Sequence, residues 1–119
     1  MIVRFLKPDT NNGSAKLTVH KTGKLGLSKG AMEMLNTRRN RYVRFGFDDI
    51  GQLMMEVSES AKENSFQIAK AGEYDYINAK SMLEELGIDY TTPHTVIFDI
   101  KKTTEKTTFR LQERIIKKG

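Results

Sequence analysis

Nine basic side chains fall within the 29 residues from Lys16 to Arg44, and their types and spacing point to one kind of chemistry. Lys16, His20, Lys21 and Lys24 bracket Gly23, Lys29 follows, and the run "NTRRNRYVR" adds Arg38, Arg39, Arg41 and Arg44. Lysines on both sides of a glycine at a hairpin tip can present ammonium groups to phosphates with no bulky backbone in the way. Arginine adds a planar fork that grips phosphate or a guanine edge. Binding of that kind weakens steeply as salt rises. The plainer reading is that these cations are the solvent faces of strands and a turn, as most surface charges are.

Other chemistry finds little support. His20 and His94 are the two histidines, far apart in sequence and without metal-ligand spacing to each other or to a carboxylate. Asp48-Asp49 and Glu84-Glu85 are adjacent acids, placed where a turn and an exposed helix face put acids anyway. No glycine-rich phosphate loop or nucleophile elbow occurs, and "GKLGLSKG" lacks the Walker spacing. With no cysteine there is no disulfide, thiolate metal site or cysteine nucleophile. The expectation is a protein that is not an enzyme and carries no metal and no cofactor. Tyr74 and Tyr76 share one face of an alternating run and could stack bases, as aromatics do in single-strand binders. Their alignment with Leu25 and Leu27, below, favours a core role. The methionines, among them Met32, Met34, Met54 and Met55, read as gap fillers of a core or as an adaptable protein-binding surface.

The elements that position these residues follow from periodicity. In "KLTVHK", Leu17 and Val19 alternate with Thr18 and His20, which is strand behaviour. Gly23 turns the chain, Leu25 and Leu27 resume the alternation, and Ser28 is placed to cap a helix over Ala31, Met34 and Leu35, closed by Asn36. Val43, Phe45 and Phe47 make a third strand, and Leu53, Met55 and Val57 a fourth. The order recurs: Phe66 and Ile68 match Leu17 and Val19, Gly72 matches Gly23, Tyr74 and Tyr76 match Leu25 and Leu27, and Asn78 takes the capping role. Met82, Leu83 and Leu86 give a helix face ended by Gly87. Val96, Phe98 and Ile100 form the next strand, with Phe109 and Leu111 on the last.

The expected fold is therefore α+β: tandem ββαββ repeats at 16–60 and 65–114 in one domain over 1–119, joined by the polar "SESAKENS". Half of such a chain buries little by itself, so the repeats should share one core, as a β-barrel with pseudo-twofold symmetry. The leading "IVRFL" reads as an extra N-terminal strand. The net charge of +5 and pI near 9.5 permit a polyanionic partner. The first repeat holds eight Lys/Arg against five Asp/Glu and the second seven against eight, so an anion is expected on the first. No apolar run approaches the roughly 20 residues that cross a bilayer, and the N-terminal apolar run is too brief for a signal peptide. A cytoplasmic location without membrane contact is the expectation.

"LTVHKTGKLGLSKGAMEMLNTRRNRYVRFGFDDIGQLMMEV" resembles the AbrB/MazE-type swapped-hairpin unit. The resemblance rests on Thr22-Gly23-Lys24, Leu25-Gly26-Leu27, Ser28-Lys29 and Ala31 to Leu35, then on Arg41 to Phe47 and Gln52 to Val57. It implies two interlaced units in one barrel that binds double-stranded DNA through basic residues around the first hairpin. A tandem copy lets one chain build the barrel, which leaves monomer or dimer open. Two departures bear on this: Met32 and Glu33 stand where the family's helix often carries cations, and Glu73 and Asp75 on the second hairpin would repel phosphate. The leading expectation is a DNA-binding regulator with duplex favoured over single strands. A protein-interaction or scaffold module is the chief rival, and single-stranded nucleic-acid binding is the third reading.

Overall fold

A computed structural model describes residues 2–3 and 15–116. Eight strands and two short helices follow one another: β1 (Lys16–Val19), β2 (Lys24–Leu27), α1 (Lys29–Leu35), β3 (Tyr42–Phe47), β4 (Leu53–Ser58), β5 (Phe66–Ala71), β6 (Tyr74–Asn78), α2 (Lys80–Glu85), β7 (Thr95–Lys102) and β8 (Thr108–Ile116). The strands close into an antiparallel barrel in the order β1-β2-β6-β5-β3-β4-β8-β7, with β7 returning to β1. Closure removes the open sheet edges that invite aggregation. The anticipated barrel is present, and among the described residues helix is confined to segments of 7 and 6 residues. The expected N-terminal strand lies mostly outside the described residues, and Ile2 and Val3 are exposed and in no strand.

Alternation sorts side chains to the two faces of the barrel wall. Leu17, Val19, Leu25, Leu27, Val43, Met55, Val57, Ile68, Ile77, Phe98 and Phe109 point into a shared core. Met55 is fully buried while Met54, one position away, is only half-buried on the other face. The helices add Ala31, Leu35, Met82 and Leu83 to that core.

Local chemistry sets the helix ends. Ser28 Oγ accepts from the Ala31 amide at 3.1 Å, the expected cap, and also from the Lys16 amide at 3.0 Å, which ties the start of α1 to β1. Asn36 takes a left-handed conformation at φ 50° and ends α1. At α2 the structure departs from expectation: Ala79, not Asn78, holds the capping position, with no side-chain cap bond. Past α2, Gly87 at φ 72° donates its amide to Glu84 O and Ile88 donates to Leu83 O, a glycine-dependent stop.

The largest correction concerns β6. Asp75 and Ile77 point inward, Ile77 opposite Leu25 on β2, whereas Tyr74 is exposed and Tyr76 half-buried on the outer face. The tyrosines are therefore one residue out of phase with Leu25 and Leu27 and are not core residues. The physical reason is an inward anchor for Asp75, described next.

Candidate nucleic-acid interface

Asp75 is 5% exposed, yet its carboxylate is fully provided for. Thr37 Oγ1 donates to Oδ2 at 2.5 Å, and Arg41 Nη1 donates to Oδ1 at 3.1 Å. Arg41 also donates to the carbonyls of Thr37 at 2.9 Å and Ile68 at 2.6 Å. One guanidinium thus joins the loop after α1, β5 and β6. A buried carboxylate needs such partners, because an unpaired charge away from water is severely unfavourable. Asp75, expected to repel phosphate, instead has its charge turned into the barrel wall and balanced there.

With Asp75 inward, the outer face of β1, β2 and β6 carries an open groove of about 540 Å³. Lys16 and Lys24 are its cations, and the His20 imidazole, Asp75 and the aromatics Tyr74 and Tyr76 also line it. The Lys24 ammonium lies 4.8 Å from the centre of the Tyr76 ring. Gly26 stands directly opposite both Thr18 on β1 and Tyr76 on β6, so small residues form the floor beside the ring. A Cβ at Gly26 would come within 2.6 Å of His20 Nε2, so the glycine lets the imidazole lie over the strand. At the groove's margin, Lys16 pairs in register with Asp99 of β7. Arg114 meets that carboxylate at 2.8 Å, and its hydrogen bond holds the Asp99 carboxyl below the usual range against the opposing effect of burial.

The nine basic residues singled out in the sequence do not form one surface. Lys16, His20 and Lys24 line the groove, and Lys21 is exposed in the turn beside it. Lys29 and Arg38 line a second depression of about 630 Å³, shared with Lys70 but also with Glu33 and Glu73. Arg39 is exposed and meets Glu59 at 3.1 Å. Arg41 is the wall anchor just described. Arg44 donates twice to Glu56 Oε1, at 3.0 and 2.5 Å, and this hydrogen bonding pulls the Glu56 carboxyl below its ordinary range. Lys16, Lys21, Lys24, Lys29 and Arg38 form no ion pair with another described residue.

Comparison with protein-family models, characterised proteins and solved structures finds no match.

Tyr74 and Tyr76, which the sequence offered as base-stacking residues but whose alignment favoured the core, line the groove together with Gly26, to which the sequence reading gave no site role. Their signal was the alternation Asp75, Ile77, Ala79, which becomes visible only once Asp75 is recognised as the partner of Arg41. The acids weighed as catalytic pairs have plainer roles. Asp48 Oδ1 accepts from the amides of Ile50 and Gln52 and so shapes the β3–β4 turn, and Glu84 accepts from the Tyr90 hydroxyl. Among the described residues no group of three or more His, Cys, Asp or Glu could hold a metal ion. Among the described residues no helix is long and apolar enough to cross a membrane.

Proposed function

We propose that this chain is a non-enzymatic DNA-binding protein, a barrel of AbrB/MazE-like swapped-hairpin type whose phosphate ligands sit on the β1–β2 hairpin. The carrying observation is that Lys16, His20 and Lys24 face one outer groove while Asp75 and Asp99 are paired with Arg41 and Arg114, and Glu73, on the hairpin of Asp75, lines the second depression instead. A surface of unbalanced cations around a groove concentrates polyanions. Strand pairing supports the tandem-repeat part of the reading. Exchanging β1–β4 for β5–β8 leaves the pairing scheme unchanged: β1-β2 becomes β5-β6, β3-β5 becomes β7-β1, β3-β4 becomes β7-β8, and β2-β6 and β4-β8 map onto themselves. Interlaced halves with one interrupted strand order are what a duplicated swapped-hairpin unit produces. A role in transcription regulation follows from the resemblance alone.

The test is fluorescence anisotropy with labelled DNA at about 50 and 200 mM salt, a range over which several phosphate contacts lower affinity by orders of magnitude. Binding at low salt that collapses at high salt is the expected result. Lys16→Ser and Lys24→Ser should each lower the slope of log affinity against log salt by about 1. No binding of any DNA at low salt overturns the proposal and favours the protein-interaction module.

A further inference from the structure

The groove has a feature that phosphate contact does not use: two tyrosines standing side by side on its wall. Tyr74 and Tyr76 are two positions apart on β6 and share its outer face, with Tyr74 63% exposed. Two residues along a strand is a separation of about 6.7 Å, twice the roughly 3.4 Å between stacked bases. Their cross-strand neighbours are small: Gly26 and Ala69 lie opposite Tyr76, and Ala71 lies opposite Tyr74. Those positions carry no bulky side chain of their own, and the space over Gly26 holds the His20 imidazole. Lys24 sits over Tyr76, and Lys16 lines the same groove, so cations flank the aromatic pair.

We infer that this groove is a stacking site for an unpaired base, and that the nucleic acid it takes is single-stranded, with Lys16 and Lys24 on the flanking phosphates. The inference rests on the DNA-binding reading and departs from the duplex that the AbrB/MazE-type resemblance implies. A duplex keeps its base faces stacked on one another and offers a protein only edges and backbone. Aromatic faces set in a cationic groove are matched instead to bases whose faces are open. Stacking tolerates any base, so the site should show little sequence preference.

The probes are a labelled oligo-dT of about ten nucleotides and a duplex of the same length, titrated at about 50 mM salt with the wild type, Tyr74→Ala, Tyr74→Phe and Lys24→Ser. The single strand should bind at least about tenfold more tightly than the duplex and quench tyrosine fluorescence. Tyr74→Ala should weaken single-strand binding by about tenfold, the scale of losing one stacked base, and leave duplex binding unchanged. Tyr74→Phe keeps the ring and should bind as the wild type does. Tyr74 is exposed, so its replacement leaves the core intact, which a circular dichroism melt checks directly. Lys24→Ser should weaken both ligands. Duplex binding equal to or tighter than single-strand binding, with Tyr74→Ala without effect, overturns the stacking site but leaves the DNA-binding reading standing. Absence of binding to either probe overturns both.

Discussion

Replacing Arg41 by methionine tests whether this arginine is a strut of the barrel or a ligand for phosphate. The substitution keeps the length and apolar stem of the side chain and removes three hydrogen bonds, to Asp75, Thr37 O and Ile68 O. What remains is the Asp75 carboxylate, 5% exposed, with Thr37 Oγ1 as its one remaining donor among these groups. Removing one partner of a buried ion pair typically destabilises by about 3–5 kcal/mol, because the other charge is left unbalanced. Arg41 is itself 24% exposed at the side chain, so water already screens its side of the pair and the lower end applies. About 3 kcal/mol is therefore the expected loss, a fall in Tm of about 10 °C for a domain of this size.

Urea and thermal melts followed by circular dichroism measure this directly. Asp75→Leu alone should be milder, since the stranded guanidinium can reach water and retains two carbonyl acceptors. Arg41→Met combined with Asp75→Leu should recover part of the loss, because a buried pair replaced as a unit by apolar groups is often close to neutral. A change below about 0.5 kcal/mol for Arg41→Met, the ordinary scale of a surface substitution, would refute the reasoning and return Arg41 to the set of candidate phosphate ligands.

Two further predictions concern the frame of the site. Gly23 turns the β1–β2 hairpin at φ +84°, and a Cβ there would lie 2.8 Å from Lys80 Cβ and 3.1 Å from Lys80 Cα. Gly23→Ala should therefore destabilise by about 1–3 kcal/mol in urea melts, whereas Gly72→Ala meets no atom within 4 Å and should cost only its φ of +66°, about 1 kcal/mol. The Glu56 carboxyl is lowered from an unfolded value near 4.5 by the Arg44 hydrogen bond, so its contribution to stability is complete above that pH and is lost as pH falls through the lower folded value. Glu56→Gln should flatten the acid limb of a stability–pH curve below about pH 4.5, and an unchanged limb would show that the Arg44 contact adds nothing in solution.

Element order was legible because it depends on local alternation. Leu17 and Val19, Leu25 and Leu27, and Phe98 and Ile100 each announce a strand within a few residues, and Ser28 announces the helix that follows. Which strands pair was not written in any one segment: β2 with β6, and β3 with β5, are contacts between halves, made by closure of the barrel. The site divides along the same line. Lys16, His20 and Lys24 were identifiable from the hairpin pattern, since glycine and alternation place them on its outer face. Arg41 and Arg44 looked identical in kind to Arg38, and only their distant partners, Asp75 and Glu56, distinguish struts from surface cations.

β6 shows how a single long-range contact decides both scaffold and site. Judged by side chain alone, Tyr74 and Tyr76 are better core residues than Asp75, so local hydrophobicity favours the wrong face. Because strand side chains alternate strictly, a slip of one residue exchanges the two sets. The observed phase keeps Ile77 in the core opposite Leu25, gives Asp75 the Arg41 and Thr37 donors, and leaves both phenol rings on the outer face. The outward tyrosines thus go together with the inward Arg41–Asp75 pair, although neither partner needs to touch a nucleic acid. Arg41 should accordingly act on binding only through the register of β6. The folded fraction of Arg41→Met should bind single strands as the wild type does while β6 keeps its phase, and lose tyrosine quenching on ligand addition only if β6 slips. Lost quenching with retained salt-dependent binding would be the signature of that slip, since the cations of β1 and β2 do not depend on the phase of β6.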